Sequence, residues 1–312
     1  MRAKTSEANA RSVARALVLA EADGLKGHGL SRVPMYARQS KVGKVDGNAV
    51  PTLVRSEPGP ILVDAANGFA YPAIELAETV IPYAARDQAV AAASIHRSHH
   101  CGAAGHPVER LAEAGLVALM FVNTPSAIAP WGGSKAVFGT NPVAFACPLP
   151  GRPPLVIDLS LSKVARGNIM TAKQHGEQIP EGWALDADGR PTTDPDAALA
   201  GTMVPMGDAK GTALALMVEL LAAGLTGANF AAEASSYLDD KGPPPGTGQL
   251  IVAFHPAAFS SNAVERFGLL AQSIEEQRGA RLPGARRLKL RQKAKTEGLP
   301  ISDMLLKEIE AV

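Results

Sequence analysis

A buried strand that runs into a loop of glycines and histidines, then a helix, then a second buried strand, constrains this chain more than any other feature. Residues 89–95 read as a strand covered on both faces. The loop after it is Ser94-Ile95-His96-Arg97-Ser98-His99-His100-Cys101-Gly102-Ala103-Ala104-Gly105-His106; Pro107 opens a predicted helix over 107–114, and 115–122 is a second apolar run. This β-loop-α-β order predicts an α/β fold. In such folds ligands lie outside the carboxyl ends of strands, so the histidine loop is the first place to look for chemistry.

The rest of the chain fits the same class. Strands are predicted over 61–64, 143–147, 155–158 and 249–254, and helices over 6–22, 72–86, 162–175, 210–225 and 262–277. Pro34 is expected to keep Val33 out of the α region. The stretch 179–207 is rich in turns and long enough to suggest function or extended packing. From Arg278 to Lys295 basic residues recur without an acid, which either solvates a terminal segment or attracts an anionic ligand.

Composition narrows the partners. With 46% of its 312 residues apolar, the chain can bury a large core. Its 31 Lys and Arg balance 30 Asp and Glu to a formal charge of +1, which argues against a nucleic-acid partner. Cys101 and Cys147 cannot make a disulfide framework, the first residues Met1-Arg2-Ala3-Lys4 open no apolar leader, and no apolar run reaches the roughly 20 residues of a membrane span. The expectation is a soluble, cytoplasmic protein that does not engage a membrane.

Several nucleotide and hydrolase signatures are missing. The nearest approach to a G-x-G-x-x-G loop is Gly246-Thr247-Gly248, but Ile251 holds the third glycine's place and prolines replace the preceding strand. Neither Gly133-Ser134-Lys135 nor Lys210-Gly211 has a Walker A frame, and no G-x-S-x-G elbow occurs.

Two loops remain as candidates. His96, His99, His100 and Cys101 could serve a metal-dependent hydrolase or lyase, although no H-E-x-x-H or C-x-x-C frame supports it. In the loop Lys26-Gly27-His28-Gly29-Leu30-Ser31-Arg32, His28 lies four residues before Arg32. A guanidinium can fork onto a carboxylate while an imidazole, ordinarily titrating near 6.5, protonates a developing alkoxide or amine. That pairing suits reduction of a 2-oxo or 2-imino acid.

Taken in order, seven short motifs resemble one known family. They are Gly27-His28-Gly29-Leu30-Ser31-Arg32-Val33-Pro34-Met35-Tyr36, Ser98-His99-His100-Cys101-Gly102-Ala103-Ala104-Gly105, Pro130-Trp131-Gly132-Gly133, Phe138-Gly139-Thr140-Asn141-Pro142, Asp158-Leu159-Ser160, Pro180-Glu181-Gly182-Trp183-Ala184-Leu185-Asp186 and Gly207-Asp208-Ala209-Lys210-Gly211. Together they resemble the non-Rossmann malate/L-lactate dehydrogenase family, which includes ureidoglycolate and sulfolactate dehydrogenases and Δ1-pyrroline/Δ1-piperideine-2-carboxylate reductases.

The resemblance implies a non-Rossmann, mixed-sheet α/β fold, a homodimer and an NADH or NADPH site, with the basic C-terminal run tilting the choice to NADPH. It implies a substrate and dimer lobe over 1–88, a cofactor-binding lobe over 89–250 and a segment over 251–312 that returns to the first lobe. His99, His100, Cys101, Gly102, Ala103, Thr124, Asp158, Leu159, Ser160, Lys210, Arg281, Pro283 and Gly284 would meet the cofactor. Arg32 and Thr140 would hold a small 2-oxo or 2-imino acid, and His28 or His100 would supply the proton. Gly27 stands where many relatives have serine, and Asn168 near where imine reductases have an acid, so a Ser-His-Asp relay is incomplete; Ser31 is the nearest replacement hydroxyl. A catalytically inactive nucleotide-binding sensor is the reading those two departures would favour.

Overall fold

Small side chains on the strands let two helices lie close against one large sheet. In the computed structural model, which describes residues 3–55 and 59–312, helix α1 (Glu7–Ala22) starts at Ser6, whose hydroxyl accepts the Asn9 N–H. Two 3-10 turns then lead into α2 (Val33–Val42), β1 (Thr52–Arg55), β2 (Ile61–Asp64), α3 (Ala70–Gln88), β3 (Val90–Ser98), α4 (Gly105–Glu113), β4 (Val117–Val122), β5 (Val143–Leu149) and β6 (Arg152–Leu159). After α5 (Arg166–His175) come β7 (Ala184–Leu185), β8 (Pro191–Thr192), α6 (Pro195–Ala200), β9 (Thr202–Met203) and α7 (Ala209–Glu219), which runs into a π-turn over Leu220–Gly224. The chain closes with β10 (Thr247–Phe254), α8 (Pro256–Phe259), α9 (Ala263–Glu275), α10 (Ala285–Glu297) and α11 (Asp303–Glu310).

The large sheet has the order β1-β2-β3-β10-β4-β5-β6, with β2 and β3 parallel and every other neighbour antiparallel. This is the expected mixed sheet. β3 and β4 both pair antiparallel with β10, so the β-loop-α-β unit straddles a strand from far along the chain. The carboxyl ends of β2, β3, β4 and β6 therefore share one edge with the starts of β5 and β10. The expected segment limit at 88 falls at the end of α3, and that at 250 lies inside β10; residues 1 and 2 of the first segment lie outside the described residues.

Ala93, Ala118, Ala144, Ala146 and Ala253 are fully buried on this sheet, and α3 and α4 fill the space with Ile74, Ile81, Val108 and Leu111. A second core, with Ile128, Phe138, Ile169, Met203 and Val218, joins the three-stranded sheet β8-β7-β9 to α5 and α7. The stretch 179–207 is thus built structure, not an open loop. Among the described residues no helix is long and apolar enough to cross a membrane.

Three local expectations are corrected. Val33 is in the α region (φ −55°, ψ −50°), because Pro34 falls in the first turn of α2, where its missing N–H is not needed. The helix foreseen from 162 begins at Arg166, since Ser162 instead bridges Pro205. Six of the eight basic residues of that run lie on α10, and two of these are not free: Arg287 and Arg291 are half-buried against Asp23 and Glu109.

Candidate functional site

The first-loop histidine is delivered by tight packing. Gly29 separates the two 3-10 turns Lys26–His28 and Leu30–Arg32, and a Cβ there would sit 3.1 Å from the Glu21 Cα, inside normal contact. Glu21 then accepts the Leu30 N–H at 3.0 Å. From this turn the His28 ring stacks on His100, with centroids 5.2 Å apart and planes 16° from parallel. The two histidines predicted from separate loops meet.

His100 enters from the end of β3. Its Nδ1 is bonded to the Tyr36 hydroxyl at 2.5 Å, and that oxygen lies 3.2 Å from the Tyr71 hydroxyl. Tyr237 closes another side, its ring 5.1 Å from His100 and 5.3 Å from His99. The Tyr237 hydroxyl donates to Thr247 Oγ1 at 2.6 Å, and Thr247 in turn donates to the Ser98 carbonyl. Gly102 follows in the left-handed region at φ +70°, where a Cβ would lie 2.6 Å from the Tyr71 hydroxyl.

The electrostatics of this box are one-sided. Burial, then the Arg32 and His106 charges, push the His28 pKa down to about 4. Burial, then Lys44 and Arg32, push His99 down to about 3. His100 is held well below its ordinary value by burial and by Arg32, His28 and His99. Burial raises Tyr36 to about 12, so it stays a phenol. Three neutral imidazoles thus lie within electrostatic reach of one guanidinium, and among the described residues no carboxylate bonds to any of the four. Such a box favours an anion.

Of the other predicted residues, Asp158, Leu159, Ser160, Thr124 and Thr140 lie at this sheet edge, while Lys210 stands on α7 and the 281–284 turn against the middle of β6. Gly105 donates its N–H to Asp158 Oδ2 at 2.8 Å, which ties the start of α4 to the end of β6 beyond Cys101 and Ala103. Leu159 is exposed there, and Ser160 Oγ lies 2.5 Å from Ser162 Oγ. Thr124 and Thr140, after β4 and before β5, bond to each other: the Thr140 N–H donates to Thr124 Oγ1 at 2.9 Å. Lys210 is exposed in the first turn of α7, and the Arg281-Leu282-Pro283-Gly284 turn lies along β6, with a Cβ on Gly284 3.2 Å from the Val156 carbonyl.

These residues suit a dinucleotide. Exposed Lys210 at a helix N-terminus and exposed Arg281 offer positive charge for phosphates, while the Gly102 backbone gives a flat approach beside His100. A cleft of about 330 Å³, lined in part by Tyr71, Cys101, Ala103 and His106, opens beside the same loop.

Other expectations fare differently. His96 turns to Asp64 at 3.9 Å, away from the packed His99 and His100, and among the described residues no group of three or more His, Cys, Asp and Glu side chains converges as a metal needs. The metal-dependent hydrolase finds no support. Ser31 donates to the Lys26 carbonyl and Asn168 is exposed on α5, so neither partners His28, whose Nδ1 is buried without a hydrogen bond.

Sequence reasoning missed Tyr71 and Tyr237 and gave Tyr36 no role. Tyr36 could have been found, since it follows Arg32 by four residues at the start of a helix and so shares its side. Nothing in the local sequence marks Tyr71 or Tyr237.

The family model described as malate/L-lactate dehydrogenase matches residues 1–310. The chain is 55% identical to the (2R)-3-sulfolactate dehydrogenase (NADP(+)) of Chromohalobacter salexigens over 97% of its own length and 90% of the relative's. It is 41% identical to a Δ1-pyrroline-2-carboxylate/Δ1-piperideine-2-carboxylate reductase of Pseudomonas putida, over 98% and 90% of the two chains. Among solved structures, Δ1-piperideine-2-carboxylate reductase from Pseudomonas syringae superposes with a TM-score of 0.93 at 38% identity, covering 99% of this chain and 94% of that one.

Proposed function

The chain belongs to the malate/L-lactate dehydrogenase family and is an NAD(P)H-dependent oxidoreductase of small 2-oxo or cyclic 2-imino acids; we propose that it uses NADPH, prefers 2-oxo acids and protonates them through His100. The observation that carries this reading is the Tyr36–His100 bond at 2.5 Å. With the phenol donating to Nδ1, His100 is the tautomer that carries its proton on Nε2. When bound, the reduced nicotinamide supplies the hydride that C2 of the substrate accepts.

Arg32 holds the substrate carboxylate, and Thr140 orients it. As negative charge develops on the oxygen at C2, the Nε2 proton of His100 passes to it and the Tyr36 hydroxyl proton moves to Nδ1, so the ring stays neutral. The Tyr36 phenolate left behind, beside the Tyr71 hydroxyl, regains a proton from solvent when product leaves. This route needs no imidazolium, which suits a ring whose pKa is held low. His28 stacks against His100 and fixes its plane. A 2-oxo acid needs such a donor, whereas a cyclic imine arrives already protonated; the 55% identical sulfolactate enzyme points the same way.

Cys101, Gly102, Ala103, Thr124, Asp158, Leu159, Ser160, Lys210 and the 281–284 turn form the cofactor side, and residues before 88 form most of the substrate side. The NADPH preference rests on the NADP-linked relative, because Arg287 and Arg291 of the basic run are already paired. α7 leaves Leu214, Leu216 and Met217 exposed, and Leu220 and Leu225 continue that apolar face, which a second copy would cover as a homodimer. The cytoplasm, where reduced pyridine nucleotide is regenerated and the buried thiols of Cys101 and Cys147 stay free, is the fitting compartment.

The test is turnover of sulfopyruvate, pyruvate, oxaloacetate, Δ1-pyrroline-2-carboxylate and Δ1-piperideine-2-carboxylate with each reduced nicotinamide. A 2-oxo acid with NADPH should give the highest kcat/KM; fastest turnover of a cyclic imine, or of NADH, would overturn the proposal.

A further inference from the structure

Lys44 is a buried cation near these rings, and the reaction above does not use it. It follows Gly43, the left-handed residue that ends α2 at φ 84°, and is only 1% exposed, a rare state for lysine. Its Nζ donates to the carbonyl oxygens of Ser236 at 2.6 Å, Asp239 at 3.1 Å and Lys241 at 2.6 Å, and to Asp239 Oδ1 at 3.1 Å. Three N–H groups serve four oxygens, three of them main-chain. Carbonyl rings of this kind are also how proteins replace the hydration shell of a bare monovalent cation.

The segment so gripped carries Tyr237. Gln39, one helical turn earlier in α2, adds bonds from Nε2 to the carbonyls of Tyr237 at 3.2 Å and Asp239 at 2.8 Å. Beyond the cage, Tyr237 packs on His99 and His100 and bonds through Thr247 to the end of β3. Residues 236–241 are therefore held on one side by α2, which also bears Tyr36, and on the other by the strand that delivers the histidines. Without the lysine, the Ser236 and Lys241 carbonyls lose their donor, while Asp239 keeps Gln39 Nε2 on its carbonyl and the Lys241 N–H on Oδ1, and the cage must open or take up another cation.

We propose that Lys44 is a tethered monovalent cation: its ammonium fills an oxygen cage built by residues 236–241, thereby positioning Tyr237 against His100, and free potassium or ammonium can take its place. Lys44 is a positioning residue in this account. The effect on catalysis rests on the reading of His100 above; the cage itself does not. A shift of Tyr237 by about 1 Å would cost roughly 10²-fold in rate, the usual penalty for misplacing a reacting group.

The experiment uses Lys44→Ala purified in potassium chloride, then compared in potassium, ammonium and lithium salts at one ionic strength. Hydrogen exchange over 236–241 and separate kcat and KM values with NADPH and a 2-oxo acid are the readouts. In lithium the variant should exchange fast over 236–241 and lose about 10²-fold in kcat/KM. Potassium or ammonium should restore both saturably, while the wild type is indifferent to the salt. Identical exchange and rates in all three salts, high or low, would overturn the proposal. If Lys44→Ala does not fold, Asp239→Asn decides: it weakens the cage with Lys44 in place and should speed exchange over 236–241, and unchanged exchange there overturns the proposal. Exchange is read whether or not a substrate turns over, so a wild type inactive on every 2-oxo acid would count against the reaction and not against the cage.

Discussion

Two buried charge assemblies in this molecule follow opposite rules. Asp23 and Glu109 face Arg287 and Arg291, two carboxylates against two guanidinium groups, with contacts that include 2.7 Å from Arg291 Nε to Asp23 Oδ1 and 2.6 Å from Arg287 Nη1 to Glu109 Oε2. His106 adds a bond of 2.9 Å to Asp23. Burial alone would raise the Asp23 pKa, but the Arg291 and His106 bonds override it and hold that carboxyl far below its usual range. The second assembly holds His28, His99, His100 and Arg32 with no acid bonded to them. A closed set of charges joins α1, α4 and α10 and leaves nothing for a ligand; the open set lacks an anion, and a 2-oxo acid brings one.

Breaking the closed set should give the largest effect. Arg291→Met leaves Asp23 and Glu109 short of a counter-charge and should lower the unfolding free energy by about 3–5 kcal/mol in urea. A loss under about 1 kcal/mol, the range of exposed ion pairs, would mean that the cluster is solvated. Arg32→Met tests the open set by the same logic. It should leave stability nearly unchanged, because Arg32 has no acid partner to lose and its bond to the Gly27 carbonyl is exposed, while kcat/KM for a 2-oxo acid falls roughly 10- to 100-fold, mostly through KM. Equal loss in kcat with KM unchanged would place Arg32 off the carboxylate.

The pH dependence of stability sharpens the contrast further. His99 has its pKa held down to about 3 and His28 to about 4, whereas both titrate near 6.5 in the unfolded chain. Between about pH 6.5 and about pH 4 the unfolded chain takes up protons that the folded chain refuses, so stability should be fully present above about 6.5 and fall below it. His99→Phe removes one such proton. The drop in Tm between about pH 7.5 and about pH 5 should then shrink by a few degrees; an unchanged drop would mean that the His99 ring has a partner. The smallest effect belongs to the exposed part of the basic run: Lys293→Ala, which gives up only a surface pair to Glu297 at 3.5 Å, should stay within about 0.5 kcal/mol of the parent.

What the sequence made legible follows from range. The β3-loop-α4-β4 unit is local, so periodicity and Pro107 were enough to place it. The histidine loops and Arg32 were visible as motifs, and their meeting is seen only in three dimensions. Other partnerships join residues far apart in the chain, such as Tyr36 with His100, Tyr237 with Thr247 and the Ser98 carbonyl, and Arg291 with Asp23. No spacing rule reaches that far. The basic run shows the cost of reading composition alone: eight like charges suggested a solvated face or an anion site, and the pairing of two of them depends on acids more than 170 residues away, as in the separation of 178 between Arg287 and Glu109. Pro34 misled for a different reason, since the bias it puts on Val33 is weaker than the helix that begins there.

The most direct measurement is NADPH oxidation on adding a 2-oxo acid, recorded for wild type and His100→Asn side by side with a check that the variant keeps its Tm. The account predicts turnover by the wild type and a kcat lower by about 10²–10⁴-fold in the variant. A variant that reduces the acid at the parent's rate would contradict it.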